Sequence, residues 1–352
     1  MKKKRMYVYP ITARFNTGLY NPYVDDLIEA LSPALECVNR NHPSHIGVFN
    51  ILKYWRETDV FFLNWIEDLP DKKGGIVQMM FLLLLFPFIK LSGKVLVWTV
   101  HNKRSHHGKH LWLKKWFMRR LMYASDLMLT HAREGINYVK EETNEANALR
   151  VFYFAHPVKL RALPARNGSP LTTDVLIWGT MARYKGIDKF LKFLHEHELQ
   201  HCFKIRVMGK IPDDAYKDEL KQYANSNISI TDKFVSNEEL NKAMAESACI
   251  LFTYSPEYVL SSGVLADSIG ALRPVVGPRA GAFTDLEAGK LVLTYENFEE
   301  CVAKITELKA SKEQAILNKD VTRIKEYSWE AYANKIVKWL GISLLPERTN
   351  VK

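Results

Sequence analysis

DVLIWGTMARYKGIDKFLKFLHEH, residues 174–197, decides how the chain is built. A short apolar run of β type ends at Gly179, a basic turn follows, and a helical pattern opens at Gly186. That is one strand–turn–helix unit, and it is a restart. Just before it, RALPARNGSPLTT (161–173) is rich in Pro, Gly, Ser and Thr and reads as a linker. Upstream the same alternation has already run once. Strand-type runs stand at 6–11, 59–65, 94–100 and 126–131, with helical patterns at 21–35, 75–91 and 110–124. Asn21 reads as the N-cap of the first helix, with Pro22 at its first position.

Downstream, strands at 203–209, 228–232, 249–254 and 274–277 alternate with helices at 214–224, 237–247 and 262–272, and a last helix covers 328–340. The expectation is two doubly wound α/β domains facing each other, 1–165 and 166–325, with 326–352 as a crossover helix and tail. In such sheets ligands bind beyond the carboxyl ends of the strands, so the loops after strands are the places to search.

The length, 352 residues, agrees with two domains, and 47% hydrophobic with 25% charged residues is ordinary for a packed protein. The four cysteines (Cys37, Cys202, Cys249, Cys301) form no CxxC pair, so neither a zinc ribbon nor a disulfide framework is indicated, and a reducing cytoplasm fits. The start, MKKKRMYVYPI, is not a signal peptide. IVQMMFLLLLFPFI (76–89) is too short to span a bilayer, which takes roughly 20 apolar residues, and reads as a buried or interfacial helix. Basic residues exceed acidic ones in the first half, and no carboxylate occurs from Lys72 to Ser125. Such a body suits an anionic partner: membrane lipid, a phosphorylated substrate or nucleic acid. The helix HLWLKKWFMRRLM (110–122) mixes aromatic and aliphatic residues with Lys114, Lys115, Arg119 and Arg120, the composition of helices that lie on anionic membranes and also of ordinary surface helices.

Two loops carry phosphate chemistry. In GTMARYKGI (179–187), Gly179 permits a tight turn, and Arg183 and Lys185 bring cationic donors to a helix start. In SSGVLADSIGALRPVVGP (261–278), Ser261, Ser262 and Gly263 stand where a helix begins. Asp267, four residues past Gly263, falls on the same face one turn on, where a carboxylate can take both hydroxyls of a ribose. The plainer alternatives are a basic turn, a serine N-cap and a surface aspartate. HELQH (197–201) matches a zinc-protease pattern in letters only, because the helix is expected to end near His197. No G-x-G-x-x-G follows the first strand, and there is neither a P-loop nor a G-x-S-x-G elbow.

Taken in order, DVFFLNWIE, the leucine-rich helix, GKVLVWTVHNKRSHH, FAHPV, WGTMARYKGID and YSPEYVLSSGVLADSIGALRPVV resemble the bacterial glycosyltransferases of GT-B fold, close to glycosyltransferase family 4, of the type that builds exopolysaccharide or capsule units on a lipid carrier. The resemblance runs over roughly residues 6 to 340. It implies that Arg183 and Lys185 meet the donor diphosphate, that Ser262 and Gly263 cradle it, and that Asp267 is the second acid of an E-x7-E pair holding the ribose. It places His101 and Asn102 on the acceptor side of the cleft, with His101 as the catalytic residue, and matches His106 to a further acceptor-side histidine. The chain departs from the pattern at Val259, where the first acid would stand with Glu257 two residues away, at Ser105 and His107, and at Lys159.

The implied activity is transfer of a sugar from a nucleotide-diphosphate sugar to a lipid-linked saccharide, with no cofactor or metal and with peripheral contact at the inner membrane face. An epimerase or hydrolase of the same fold is one alternative, and the carboxylate-free stretch 72–125 speaks against it. A nucleic-acid-binding protein is another, but no recognition motif supports one.

Overall fold

The computed structural model describes residues 3–11, 22–102, 110–165, 170–257, 259–310 and 321–342. The Asn21 cap and His106 lie outside them. The chain divides into two compact units, 1–157 with 327–352 and 158–326.

The first unit runs β1 (Lys4–Tyr9), α1 (Tyr23–Leu31), β2 (Leu35–Cys37), α2 (Ile51–Tyr54), β3 (Val60–Asn64), α3 (Gly75–Leu91), β4 (Val95–Val100), α4 (Leu111–Ala124), β5 (Leu127–Thr130), α5 (Glu134–Glu142), α6 (Glu145–Ala148) and β6 (Val151–Tyr153). Its six strands form a parallel sheet in the order β2-β1-β3-β4-β5-β6. Phe61, Phe62, Leu96, Val97 and Trp98 are fully buried because helices cover both faces of a parallel sheet. The first helix is shorter than its sequence pattern. Pro33 has no N–H to carry the helical ladder on, α1 stops at Leu31, and Leu35–Cys37 is freed to pair with β1.

The second unit runs β7 (Thr173–Trp178), α7 (Ile187–Glu196), β8 (Ile205–Gly209), α8 (Asp214–Lys221), β9 (Ile228–Asp232), α9 (Asn237–Ala245), β10 (Ser247–Leu251), α10 (Gly263–Gly270), β11 (Val275–Pro278), α11 (Gly281–Ala288), β12 (Leu293–Tyr295), α12 (Phe298–Ala310) and α13 (Val321–Lys325). Its parallel sheet has the order β12-β11-β10-β7-β8-β9. Residues 158–165 cluster with this unit: the Arg161 backbone N–H bonds Gly270 O, and a Cβ on Gly270 would meet Lys159 O at 1.9 Å.

The last helix, α14 (Trp329–Trp339), belongs to the first unit. Tyr332, Ala333, Ile336 and Val337 are buried in one core with Leu27, Ile28 and Leu31 of α1. Each large side chain so buried contributes about 1.5–3 kcal/mol, so the chain returns to its first unit for a large apolar gain.

Candidate functional site

In each sheet the order of crossovers reverses between two neighbouring strands, and the crevice beyond their carboxyl ends is where doubly wound folds take ligands. In the second unit those strands are β7 and β10. The chain leaves β7 through Gly179 at φ +99 and turns through a 3-10 stretch, Arg183–Lys185, into Gly186 at φ +63. Gly186 cannot be larger: a Cβ there would stand 2.5 Å from Thr253 O, in the loop after β10. Thr253 Oγ1 donates to Lys185 O at 2.6 Å and ties the two loops together.

This packing buries Lys185, which is 5% exposed. A Cβ built on Gly179 would meet Lys185 Nζ at 3.3 Å and Val264 Cγ2, in the first turn of α10, at 3.2 Å. The ammonium and the start of α10 therefore flank one glycine. Lys185 also lies over the Tyr254 ring, at 5.4 Å. No carboxylate pairs with it among the described residues, and burial pulls its pKa below the ordinary lysine value. The α10 terminus lacks a side-chain cap: Ser262 Oγ sits 3.3 Å from Tyr254 OH, and Ser261 Oγ is buried without a partner. Uncapped first-turn N–H groups, an orphan hydroxyl and a buried ammonium make an anion site.

Four other residues picked out by the sequence stand differently. Arg183 is exposed, lies on the Tyr216 ring and is engaged by Glu219 Oε2 at 2.6 Å and Asp213 Oδ2 at 3.6 Å, so the geometry does not join it to Lys185. Asp267 is on α10 one turn past Gly263 and is held by Arg161 at 3.3 Å. Val259 is buried, and Glu257 is exposed in the loop before it. HELQH begins after α7 has ended at Glu196, with Glu198 at φ +59.

In the first unit the reversal falls between β1 and β3. Parallel register sets Tyr9 beside Leu63 and Asn64 beside Thr99, so the ends of β1, β3 and β4 share one edge. His101 stands there, half-buried, with Asn102 next to it. Trp65, at φ +47, stacks on the His101 ring with centroids 4.4 Å apart and planes 11° apart. A left-handed tryptophan is costly, and such strain collects at functional sites. His101 Nε2 is 3.4 Å from Asn64 Oδ1. Two histidines the sequence reading passed over join it, His131 after β5 and His156 after β6. Both ring edges meet Tyr23, as does His101. Tyr23 OH is 2.8 Å from His131 Nε2, and Tyr332 OH of α14 is 3.4 Å from Tyr23 OH. Burial pulls the His101 pKa down to about 3 and that of His156 to about 4, and holds His131 well below the ordinary range. All three are neutral imidazoles at physiological pH. Nothing in their spacing announces this cluster, since the sheet alone assembles residues 23, 101, 131 and 156.

The basic helix needs a correction. Lys114 points inward, 2% exposed, and pairs with Asp71. Lys115 is held by Glu142, while Arg119 and Arg120 are exposed. The larger apolar surface is on α3, where Val77, Met80, Leu84, Phe88 and Leu91, at helical spacing, are 48–84% exposed, with Leu111 and Trp112 of α4 also exposed. No described helix is long and apolar enough to cross a membrane.

No family model matches the chain. It is 23% identical, over 73% of its length and 70% of the relative's, to a GDP-mannose:glycolipid 4-beta-D-mannosyltransferase of Xanthomonas campestris pv. campestris. Among solved structures it is similar to Anabaena HepE in complex with UDP (TM-score 0.70, 12% identity, 96% of this chain and 99% of that one). It is also similar to a UDP-N-acetylglucosamine 2-epimerase of Listeria monocytogenes (TM-score 0.53, 11% identity, 97% and 96%). The fold is GT-B: two parallel-sheet units of Rossmann type, the last helix returning to the first. At these identities the likeness to solved structures defines architecture, and one architecture carries both transferases and epimerases.

Proposed function

We propose that the protein is a glycosyltransferase that takes a nucleotide-diphosphate sugar on its second unit and a lipid-linked saccharide on its first. The observation that carries this reading is Lys185, a buried ammonium with no described carboxylate partner, set beside the uncapped start of α10 at the carboxyl end of the sheet. An unpaired buried charge costs several kcal/mol, and a diphosphate would offset that cost. In transfer the bond from the anomeric carbon to the diphosphate oxygen breaks, one to the acceptor oxygen forms, and the acceptor hydroxyl's proton leaves to the departing diphosphate or to solvent. Lys185 and the α10 N–H groups take up the leaving charge, with Ser262 and Gly263 in the cradle and Asp267 on the ribose. No cofactor or metal enters this reading.

At neutral pH His101 is an acceptor of hydrogen bonds rather than a store for protons, since burial holds it near pKa 3. Neutral imidazoles and aromatic rings suit a saccharide, whereas an epimerase calls for carboxylates at that rim. The glycolipid named for the Xanthomonas relative supports a lipid-linked acceptor, as do the apolar outer face of α3 and the exposed Arg119 and Arg120 of α4. We place the protein peripherally on the anionic inner face of the cell membrane, in synthesis of a capsule or exopolysaccharide.

Thermal stabilisation by UDP, GDP, ADP and dTDP, with NAD as control, tests the donor half. A rise in midpoint with one diphosphate supports it and names the base; no rise with any removes it.

A further inference from the structure

The three clustered histidines of the first unit, His101, His131 and His156, have fixed tautomers, which can be read from groups that only accept. Tyr9 O accepts from Asn64 Nδ2 at 3.2 Å, so the Asn64 amide has one orientation and turns Oδ1 to His101. His101 Nε2 must carry the hydrogen, and Nδ1 is left as a bare lone pair. His156 Nδ1 lies 3.0 Å from Pro157 O, so Nδ1 carries the hydrogen and Nε2 is bare. His131 Nδ1 donates to Phe154 O at 2.8 Å, and its Nε2 accepts from Tyr23 OH, so His131 is fully used inside the unit. Among the described residues, two of the three thus keep an acceptor nitrogen with no donor. Both are half-buried, both flank the Tyr23 ring (5.1 and 5.4 Å between centroids), and they are near enough for a charge on one to disfavour a charge on the other.

We propose that His156 is a second ligand-binding residue, its Nε2 acting with His101 Nδ1 as a pair of neutral acceptors for hydroxyl groups of the saccharide bound by the first unit. An acceptor nitrogen that meets no donor in the protein gains a hydrogen bond from a ligand hydroxyl. A paired set of lone pairs selects donors, so it favours a neutral polyol over a carboxylate or phosphate. Trp65 and Trp329 supply apolar ring surface beside it, which suits the C–H faces of a sugar. The inference rests on the proposed acceptor role of this unit.

The test is long-range 1H–15N spectroscopy of the full chain labelled at histidine, with methyl α-glucoside, methyl α-mannoside and, separately, UDP as probes. The expected spectrum shows opposite tautomers, Nε2–H for His101 and Nδ1–H for His156. Saccharide should shift the two bare nitrogens and leave those of His131 in place. His156→Phe, which keeps a ring against Tyr23 and Trp329, should weaken saccharide binding about tenfold and leave nucleotide stabilisation unchanged. An Nε2–H tautomer at His156, or nitrogens unmoved by either saccharide in a protein that still takes a nucleotide, overturns the inference alone. A protein indifferent to every nucleotide overturns the proposed function instead.

Discussion

Asn64 Oδ1 faces His101 Nε2 at 3.4 Å, on an amide whose other end is held by the carbonyl of Tyr9. One fully buried side chain at the end of β3 thereby sets which nitrogen of the histidine just past β4 carries the hydrogen. Asn64→Asp keeps the shape and places a negative charge beside the ring. The His101 pKa should then rise from about 3 by a unit or more, read by imidazole titration. An unshifted titration would remove Asn64 as the group that positions His101.

Lys185→Met should separate stability from binding. Removing an unpaired buried ammonium leaves the free protein as stable or more so, while nucleoside diphosphate affinity falls roughly a hundredfold. Melting curves with and without nucleotide check both halves. A large loss of stability without ligand would mean the ammonium already has a structural partner.

The first unit should be most stable in mildly acidic solution. His101, His131 and His156 have folded pKa values lowered by burial, from 6.5. Their contribution is complete above 6.5 and is lost as pH falls, because the unfolded chain takes up protons first. Glu67 behaves oppositely. It is fully buried, and burial, outweighing its hydrogen bonds and the pull of Lys72, raises its pKa from 4.5 to about 8. Its contribution is complete below 4.5 and is lost as pH rises to about 8. Melting temperature against pH should therefore peak between these limits, and Glu67→Gln should flatten the alkaline side only. A peak above pH 8 would contradict the Glu67 assignment, and one below pH 4.5 that of the histidines.

On the membrane side, Leu84→Glu with Phe88→Glu should reduce sedimentation with phosphatidylglycerol vesicles by more than about tenfold. Arg119→Gln with Arg120→Gln should have a smaller, salt-sensitive effect. Full retention of the Leu84/Phe88 variant on vesicles would exclude α3 as the docking face.

The two sheets were legible because a strand buried on both faces is a continuous apolar run, and 94–100 and 174–178 are such runs. Lys185 was legible because a glycine, a cation and a helix start are close together in the chain. Short edge strands such as Leu35–Cys37 and Val151–Tyr153 escaped because three residues carry too little pattern. His131 and His156 escaped for a different reason: each follows its own strand, and only the order of strands brings the histidines into one group. The ion pairs of Lys114 and Arg183 were not legible, because a charge in sequence says nothing of the carboxylate that folding sets against it.

The place of α14 also sets a timetable. The first core needs Tyr332 and Ile336, and the ribosome reaches them only after making the whole second unit. At about 5–20 residues per second that interval is roughly ten to thirty seconds. Through it, Leu27, Ile28 and Leu31 wait uncovered while the second unit, complete in its own stretch of chain, is free to fold first.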